Sequence, residues 1–265
     1  MNKELLQLCQ SLNMPRSVTE EICSIALQLP LRELQPAMAM LVREETWEIG
    51  LTKLKQQLNP DPLGFNMLTC MLLCAMQTRK HYREQDIPDP IFLATMDCFP
   101  RFVREHLESY GHYGFDRDFW TVRQLSCRLF RLGLLEYELE HGMVCLHIPA
   151  GAHLAPEAID ASLKEADAFL ARFFPAWQNL AKTCHSWLLS PQLPALLPEN
   201  SNILRFQHRF RITPEPEQTR EFLVWIFKNR DIPYPNLPEN TSLQKAVKKH
   251  LLDGGSFVEG RGILR

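Results

Sequence analysis

Glu136 and His147 are the residues whose types and spacing indicate chemistry most directly. They lie in two segments where polar and apolar residues alternate, the pattern of strands with one buried face. The dipeptide His141-Gly142 between the segments is typical of a tight hairpin turn. A carboxylate beside an imidazole fixes its tautomer. This pair is therefore the best candidate for a general acid and base, although a weak ion pair on an exposed sheet face is the interpretation that we favour from the sequence.

The register of this hairpin follows from burial, because apolar side chains must lie opposite apolar ones if one face is to be covered. Leu139 should then pair with Val144, and Glu136 should pair with His147. The same register places Glu138 opposite Cys145, which is the second candidate for acid-base chemistry.

Cys184 and His185 suggest a thiol nucleophile with an imidazole base. Residues 183–189 are predicted to form a short strand, and neighbours on a strand point to opposite faces. The two side chains therefore cannot serve each other, and a Cys184 nucleophile would need a base from another element. Packing of a small buried thiol is the interpretation that we favour for Cys184.

Three arginines, Arg205, Arg209 and Arg211, share one face of a strand predicted over residues 202–212. Guanidinium groups match the geometry of phosphate oxygens, so this row could bind phosphates. A solvated outer strand face explains the row equally well. His208 falls on the opposite, apolar face and is predicted to be a core histidine.

The 8 cysteines lie mostly in apolar patterns, as free thiols in a reducing compartment do. Cys70 and Cys74 could share a helix face, but no second close pair of Cys or His completes a tetrahedral metal site. We therefore predict no metal and a cytoplasmic location. A net charge of −2 favours neither nucleic acid nor another polyanion as a partner. No apolar stretch is long enough to predict a membrane span.

Two kinds of element must position these residues. Up to about residue 131 apolar residues recur at helical spacing, with a capping box predicted at Ser17, a helix start at Asp61-Pro62 and an exposed loop over 80–90. The period then changes to alternation without a linker. We predict an α+β protein, with a helical domain over 1–133 followed by a mixed α/β domain over 134–265.

Four further elements are predicted in the second domain. A helix opens at Pro156 and ends before Pro175, and a capping box at Thr241-Ser242 opens the last helix. A short strand over 256–264 follows it. Residues 221–228 fit a buried helix or a buried strand, and the sequence leaves that choice open.

Several segments of the second half together resemble a bacterial family of acyltransferase-domain proteins. They are L-E-Y-E (135–138), H-I-P (147–149), C-H-S-W-L-L-S-P (184–191), S-N-I with a later F-x-x-x-F (201–210) and L-P-E-N-T-S-L-Q (237–244). The helical half matches more loosely, through Gly111-x-x-Gly114-Phe115 and Trp120. The resemblance implies a GNAT-like fold and transfer of an acyl group from acyl-CoA to an amine or similar nucleophile. It names no acceptor.

One departure from the GNAT pattern concerns the phosphate-binding turn R/Q-x-x-G-x-G/A, which we do not find before a helix. The nearest substitute is the helix start at Thr241 and Ser242, to which Arg205 and Arg209 could add charge. Trp187 would either line the cofactor groove or fill it. The alternative function is a degenerate GNAT-like binding or scaffold module without catalysis, and a helical regulator of another protein is a third, weaker hypothesis.

Overall fold

The computed structural model describes residues 3–228 and 231–265 and divides the chain into two compact units, residues 1–132 and 133–265. The first unit is helical and the second contains a mixed sheet with helices. The predicted α+β class is thus confirmed. In the described ranges, no helix is long and apolar enough to cross a membrane.

The first unit, over residues 3–132, consists of helices and one terminal strand. Its elements are α1 (Lys3–Ser11), α2 (Arg16–Gln28), α3 (Leu31–Leu41), α4 (Trp47–Leu58), α5 (Phe65–Glu84), α6 (Asp89–Met96), α7 (Cys98–Tyr110), α8 (Asp118–Leu125) and β1 (Leu129–Leu132). Residues 3–125 contain no strand, as the helical spacing of the apolar residues predicts.

Three predicted details of the helical unit are wrong. The capping box at Ser17 does not form, because α2 begins one residue earlier behind Pro15 and no side chain caps it. Asp61 does not begin α5; its carboxylate instead accepts the backbone N–H of Asn66 at 3.2 Å and of Met67 at 2.8 Å. The expected exposed loop over 80–90 belongs largely to α5 and α6, since a buried Tyr82 ties this polar stretch to the core.

Cys70 and Cys74 of α5 are core thiols. Both are buried, and burial raises the pKa of Cys70 to about 12 and that of Cys74 further still. Among residues 3–228 and 231–265 no group of three metal-binding side chains occurs.

The second unit alternates strands and helices. Its elements are β2 (Leu135–Glu140), β3 (Met143–His147), α9 (Pro156–Phe173), β4 (Lys182–Ser186), α10 (Asn202–Gln207), β5 (Phe210–Thr219), α11 (Glu221–Phe227), α12 (Ser242–Leu252) and β6 (Phe257–Leu264). These strands lie side by side in the order β2-β3-β4-β6-β5. Strands β3 and β4 are parallel, joined through α9, and the other neighbours in this order are antiparallel.

The hairpin register is confirmed. Leu139 pairs with Val144, Glu136 with His147 and Glu138 with Cys145. Residues 221–228, which the sequence left open, form helix α11 up to Phe227.

The predicted strand over residues 202–212 is wrong. Ser201 accepts the backbone N–H of Leu204 at 3.2 Å and so starts helix α10, and only the residues from Phe210 onward form β5. Arg205 therefore lies on a helix and shares no strand face with Arg211. His208 is exposed at the end of α10 and is not a core residue.

Strand β4 is shorter than predicted. It ends at Ser186, whose hydroxyl accepts the backbone N–H of Leu188 at 3.1 Å and turns Trp187–Leu189 into a single 3₁₀ turn. Trp187 consequently leaves the sheet and packs, partly buried, against the apolar cluster of α11 and α12.

Candidate active site

The two faces of the sheet differ in chemistry. One face is apolar and packs against α9, where the Tyr137 hydroxyl lies 3.0 Å from Ser162 Oγ. The other face carries Glu136 and Glu138 of β2 and His147 of β3. Both carboxylates are buried, with 2% of each residue exposed. The exposed face that we expected at Glu136 is therefore wrong, because its carboxylate is buried.

His147 forms a hydrogen bond with Glu138, which lies diagonally across the hairpin. Its backbone pairs with Glu136, but its Nε2 lies 2.9 Å from Glu138 Oε2. Diagonal neighbours on a twisted hairpin lie within reach of a long side chain, and the imidazole takes that direction. The predicted partner of His147, Glu136, is thus corrected to Glu138. Glu138 lies opposite Cys145 in the backbone register, as predicted, but its carboxylate is hydrogen-bonded to His147.

The pair is asymmetric in its access to solvent. The Glu138 side chain is 3% exposed, whereas that of His147 is 25% exposed. A buried carboxylate costs free energy unless it is paired and hydrogen-bonded. Glu138 therefore fixes the orientation of the imidazole, while the His147 ring stays partly open to solvent.

The parallel strands β3 and β4 pair only at their beginnings. Val144 pairs with Lys182 and Cys145 with Thr183, and within the described residues no further pair joins these two strands, although β3 runs on to His147. A gap between their carboxyl ends therefore begins beside the His147–Glu138 pair. Ligands of open α/β sheets bind at the carboxyl ends of parallel strands.

The turn from β3 to α9 is the feature that the sequence reasoning missed. Residues 148–155 connect the strand to the helix, with Gly151 at φ +78° and open space where a Cβ would lie. The N-cap residue Ala155 has no side chain that could accept the first backbone N–H groups of α9. Pro156 has no N–H, and the N–H of Ala158 donates to the Ala155 carbonyl oxygen at 3.1 Å, so the N–H of Glu157 is the donor of this first turn that could meet an anion. A glycine and a helix-opening proline directly after a strand are the signal that could have found this turn.

Arg209 reaches the same helix start. Its guanidinium donates to the carbonyl oxygen of Pro156 at 3.2 Å and pairs with Asp160 of α9. The hydrogen bond from Arg209 lowers the pKa of Asp160. Arg209 thus forms an ion pair with Asp160 beside the first turn of α9, whereas Arg205 is exposed on α10.

The start of α12 is built differently. Thr241 Oγ1 accepts the N–H of Gln244 at 3.1 Å, and Gln244 Oε1 accepts the backbone N–H groups of Asn240 and Thr241 at 2.8 and 3.2 Å. The predicted capping box is confirmed. The box uses the backbone N–H groups of Asn240, Thr241 and Gln244.

Cys184 lies on the apolar face. It is buried, and burial raises the pKa of its thiol to about 12, so the thiol is neutral near pH 7. A neutral buried thiol is a poor nucleophile. The geometry favours packing as the role of Cys184.

Comparison with known proteins agrees with this architecture. Residues 129–264 match the model of the GNAT-like C-terminal domain, and residues 3–127 match that of the N-acyltransferase N-terminal domain. The chain belongs to this GNAT-like family. No curated protein matches the chain.

Solved structures of acyltransferases resemble this chain over its full length. One, in complex with decanoyl-CoA, has a TM-score of 0.82 and 26% identity over 100% of this chain and 88% of the other. A second, in complex with decanoyl-CoA and teicoplanin, has a TM-score of 0.79 and 27% identity with the same coverage. A mutant enzyme in complex with octanoyl-CoA has a TM-score of 0.82 and 26% identity over 100% of this chain and 88% of the other. These relatives support acyl-CoA-dependent acyltransferase activity.

Proposed function

We propose that this GNAT-like protein transfers an acyl group from acyl-CoA to an amine or similar nucleophile, with His147 as the general base. One observation carries the proposal: a solvent-accessible imidazole, held by a buried carboxylate, lies where two parallel strands stop pairing. The solved relatives, which bind decanoyl-CoA or octanoyl-CoA, indicate a medium-length acyl chain as the donor group to test first.

The chemistry follows from the tautomer. If His147 donates Nε2–H to Glu138, the lone pair of the neutral imidazole lies on Nδ1. That lone pair takes the proton from the amine as its nitrogen attacks the thioester carbonyl carbon. The new carbon–nitrogen bond forms and the carbon–sulfur bond breaks. A positioned base of this kind contributes on the order of 10²–10⁴ in rate.

The test is release of free CoA thiol from decanoyl-CoA and octanoyl-CoA with a panel of primary amines. We expect turnover by the wild type and a loss of about 10²–10⁴ in kcat for His147→Asn. His141→Asn is the matched control, because His141 is exposed in the hairpin turn at φ +49°, a conformation that asparagine also adopts. Binding of acyl-CoA without any turnover would favour the degenerate binding module.

The phosphates of CoA are proposed to lie at the start of α9. The N–H of Glu157, the open turn at Gly151 and the Arg209 guanidinium support an anion site there. The start of α12 at Thr241 and Ser242, to which the sequence pointed together with Arg205 and Trp187, is the competing location.

Two substitutions separate these locations. Ala155→Asp should cap α9 with its own carboxylate and repel the phosphates, so calorimetry should show CoA affinity falling at least about 10-fold while helix stability is kept or raised. Ser242→Glu, the matched change at α12, should leave the affinity unchanged. The reverse result would return the phosphate site to α12.

A further inference from the structure

A second histidine–carboxylate pair lies on the same face of the sheet as His147. His185 of β4 places its Nε2 3.1 Å from Glu259 Oε2 of β6 and 4.0 Å from Glu215 Oε1 of β5. Arg261 donates its Nε–H to Glu215 at 3.0 Å. The His185 side chain is 46% exposed, so it exchanges protons readily with water.

The strand register places the two histidines on either side of the gap. Cys145 and Thr183 form the last pair between β3 and β4, and the Thr183 hydroxyl donates to Cys145 Sγ at 3.5 Å, so both lie on this face. His147 and His185 each follow by two residues and therefore lie on the same face as that pair. Neighbouring strands are about 4.8 Å apart while they pair, and further apart beyond the last pair.

The two imidazoles are held from opposite sides. His147 is bonded to Glu138 of β2, which is the outer neighbour of β3, and His185 is paired with Glu259 of β6, the outer neighbour of β4. Each carboxylate therefore holds its own imidazole away from the other imidazole. The mouth of the gap lies between the two imidazoles. An imidazolium at His185 has Glu259 and Glu215 as counterions, with Arg261 as the nearest cation.

We propose that His185 is the general acid of the reaction and protonates the sulfur of the departing CoA. The inference rests on the proposed function. As the carbon–sulfur bond breaks, the imidazolium of His185 gives its proton to the thiolate and becomes neutral, while His147 takes the proton released by the amine. The products are an amide and CoA thiol, and exchange with water returns both histidines to their starting protonation states.

Leaving-group dependence separates this role from a structural one. A thiolate of low basicity departs without protonation, so it needs no general acid. The assay compares decanoyl-CoA with the decanoyl thioester of 4-nitrothiophenol, using the best amine acceptor found for the wild type. His185→Asn should lower kcat/KM about 10²-fold or more on decanoyl-CoA and less than about 5-fold on the nitrothiophenyl ester.

His147→Asn provides the contrast, since loss of the base should lower both rates by similar factors. His185→Gln is the second substitution, in case His185→Asn fails to fold, and Glu259→Gln should show a smaller loss with the same leaving-group dependence. The pH profile of kcat/KM adds a further measure, because any basic limb that depends on His185 in the wild type should be absent in His185→Asn.

Equal losses on both thioesters, or a loss below about 3-fold on decanoyl-CoA, would overturn the assignment of His185 and leave the proposed function intact. Absence of thiol release by the wild type from every thioester would instead overturn the proposed function and this inference together.

Discussion

The two faces of the sheet in the second unit bury side chains of opposite kinds. On the apolar face Phe210 and Cys184 are 2% and 1% exposed, and on the polar face Glu136 and Glu138 are 2% exposed each. Burial of an aromatic ring stabilises the fold, by about 25 cal/mol per Å² of apolar surface. Burial of a carboxylate gives no such gain and costs free energy unless the charge is paired.

The comparison separates stability from chemistry. The apolar face stabilises the fold, while the polar face keeps charged groups in place at a cost. Glu138 holds its histidine at the mouth of a gap between strands, which is where a reaction can use it. Substitutions on the apolar face should therefore change the free energy of unfolding, and substitutions on the polar face should change kcat.

Phe210→Ala should give the largest effect on stability. Phe210 packs against Phe206, with ring centroids 4.9 Å apart, and its removal leaves a cavity. We expect the free energy of unfolding to fall by about 3–5 kcal/mol. Urea denaturation measures this change. The kcat of the protein that remains folded should stay within about 3-fold of the wild type, and a large fall in kcat would mean that the apolar face also supports the chemistry.

Tyr137→Phe should give a smaller effect of the same type. It removes the hydroxyl group that lies 3.0 Å from Ser162 Oγ, while Ser162 still accepts the backbone N–H of Leu135 at 3.1 Å. Because one hydrogen bond is lost and its partner keeps another, the free energy of unfolding should fall by about 0.5–1.5 kcal/mol. Thermal denaturation checks the value. Ser162→Ala, which also removes the bond to Leu135, should destabilise the protein more.

The sequence determined the backbone of the hairpin but not the contact within it. Strict alternation from Leu135 to His147 allows one register, because any slip by one residue would bury the glutamates against α9. The choice of Glu138 over Glu136 depends on strand twist and side-chain direction, which alternation does not encode.

Local capping explains the other differences. Ser201 caps α10 and overrides the alternation of residues 202–212, because one side-chain hydrogen bond decides whether that segment begins as a helix. The start of α9, where we propose that the phosphates lie, was not predicted from the sequence because the turn would bind through its backbone. The side chains of Gly151 and Ala155 carry no polar group that would indicate such a site.

Two neighbouring glutamates on β2 test the central claim most directly. Glu136 and Glu138 have the same burial, the same strand and the same face, and Glu138 Oε2 lies 2.9 Å from His147 Nε2. The measurement is kcat for CoA release from decanoyl-CoA by Glu138→Gln and by Glu136→Gln, with folding checked by thermal denaturation. We predict a fall of about 10–100-fold for Glu138→Gln, since an orienting partner is lost, and less than about 3-fold for Glu136→Gln. An equal or larger fall for Glu136→Gln would contradict the assignment of His147 and Glu138 as the catalytic pair.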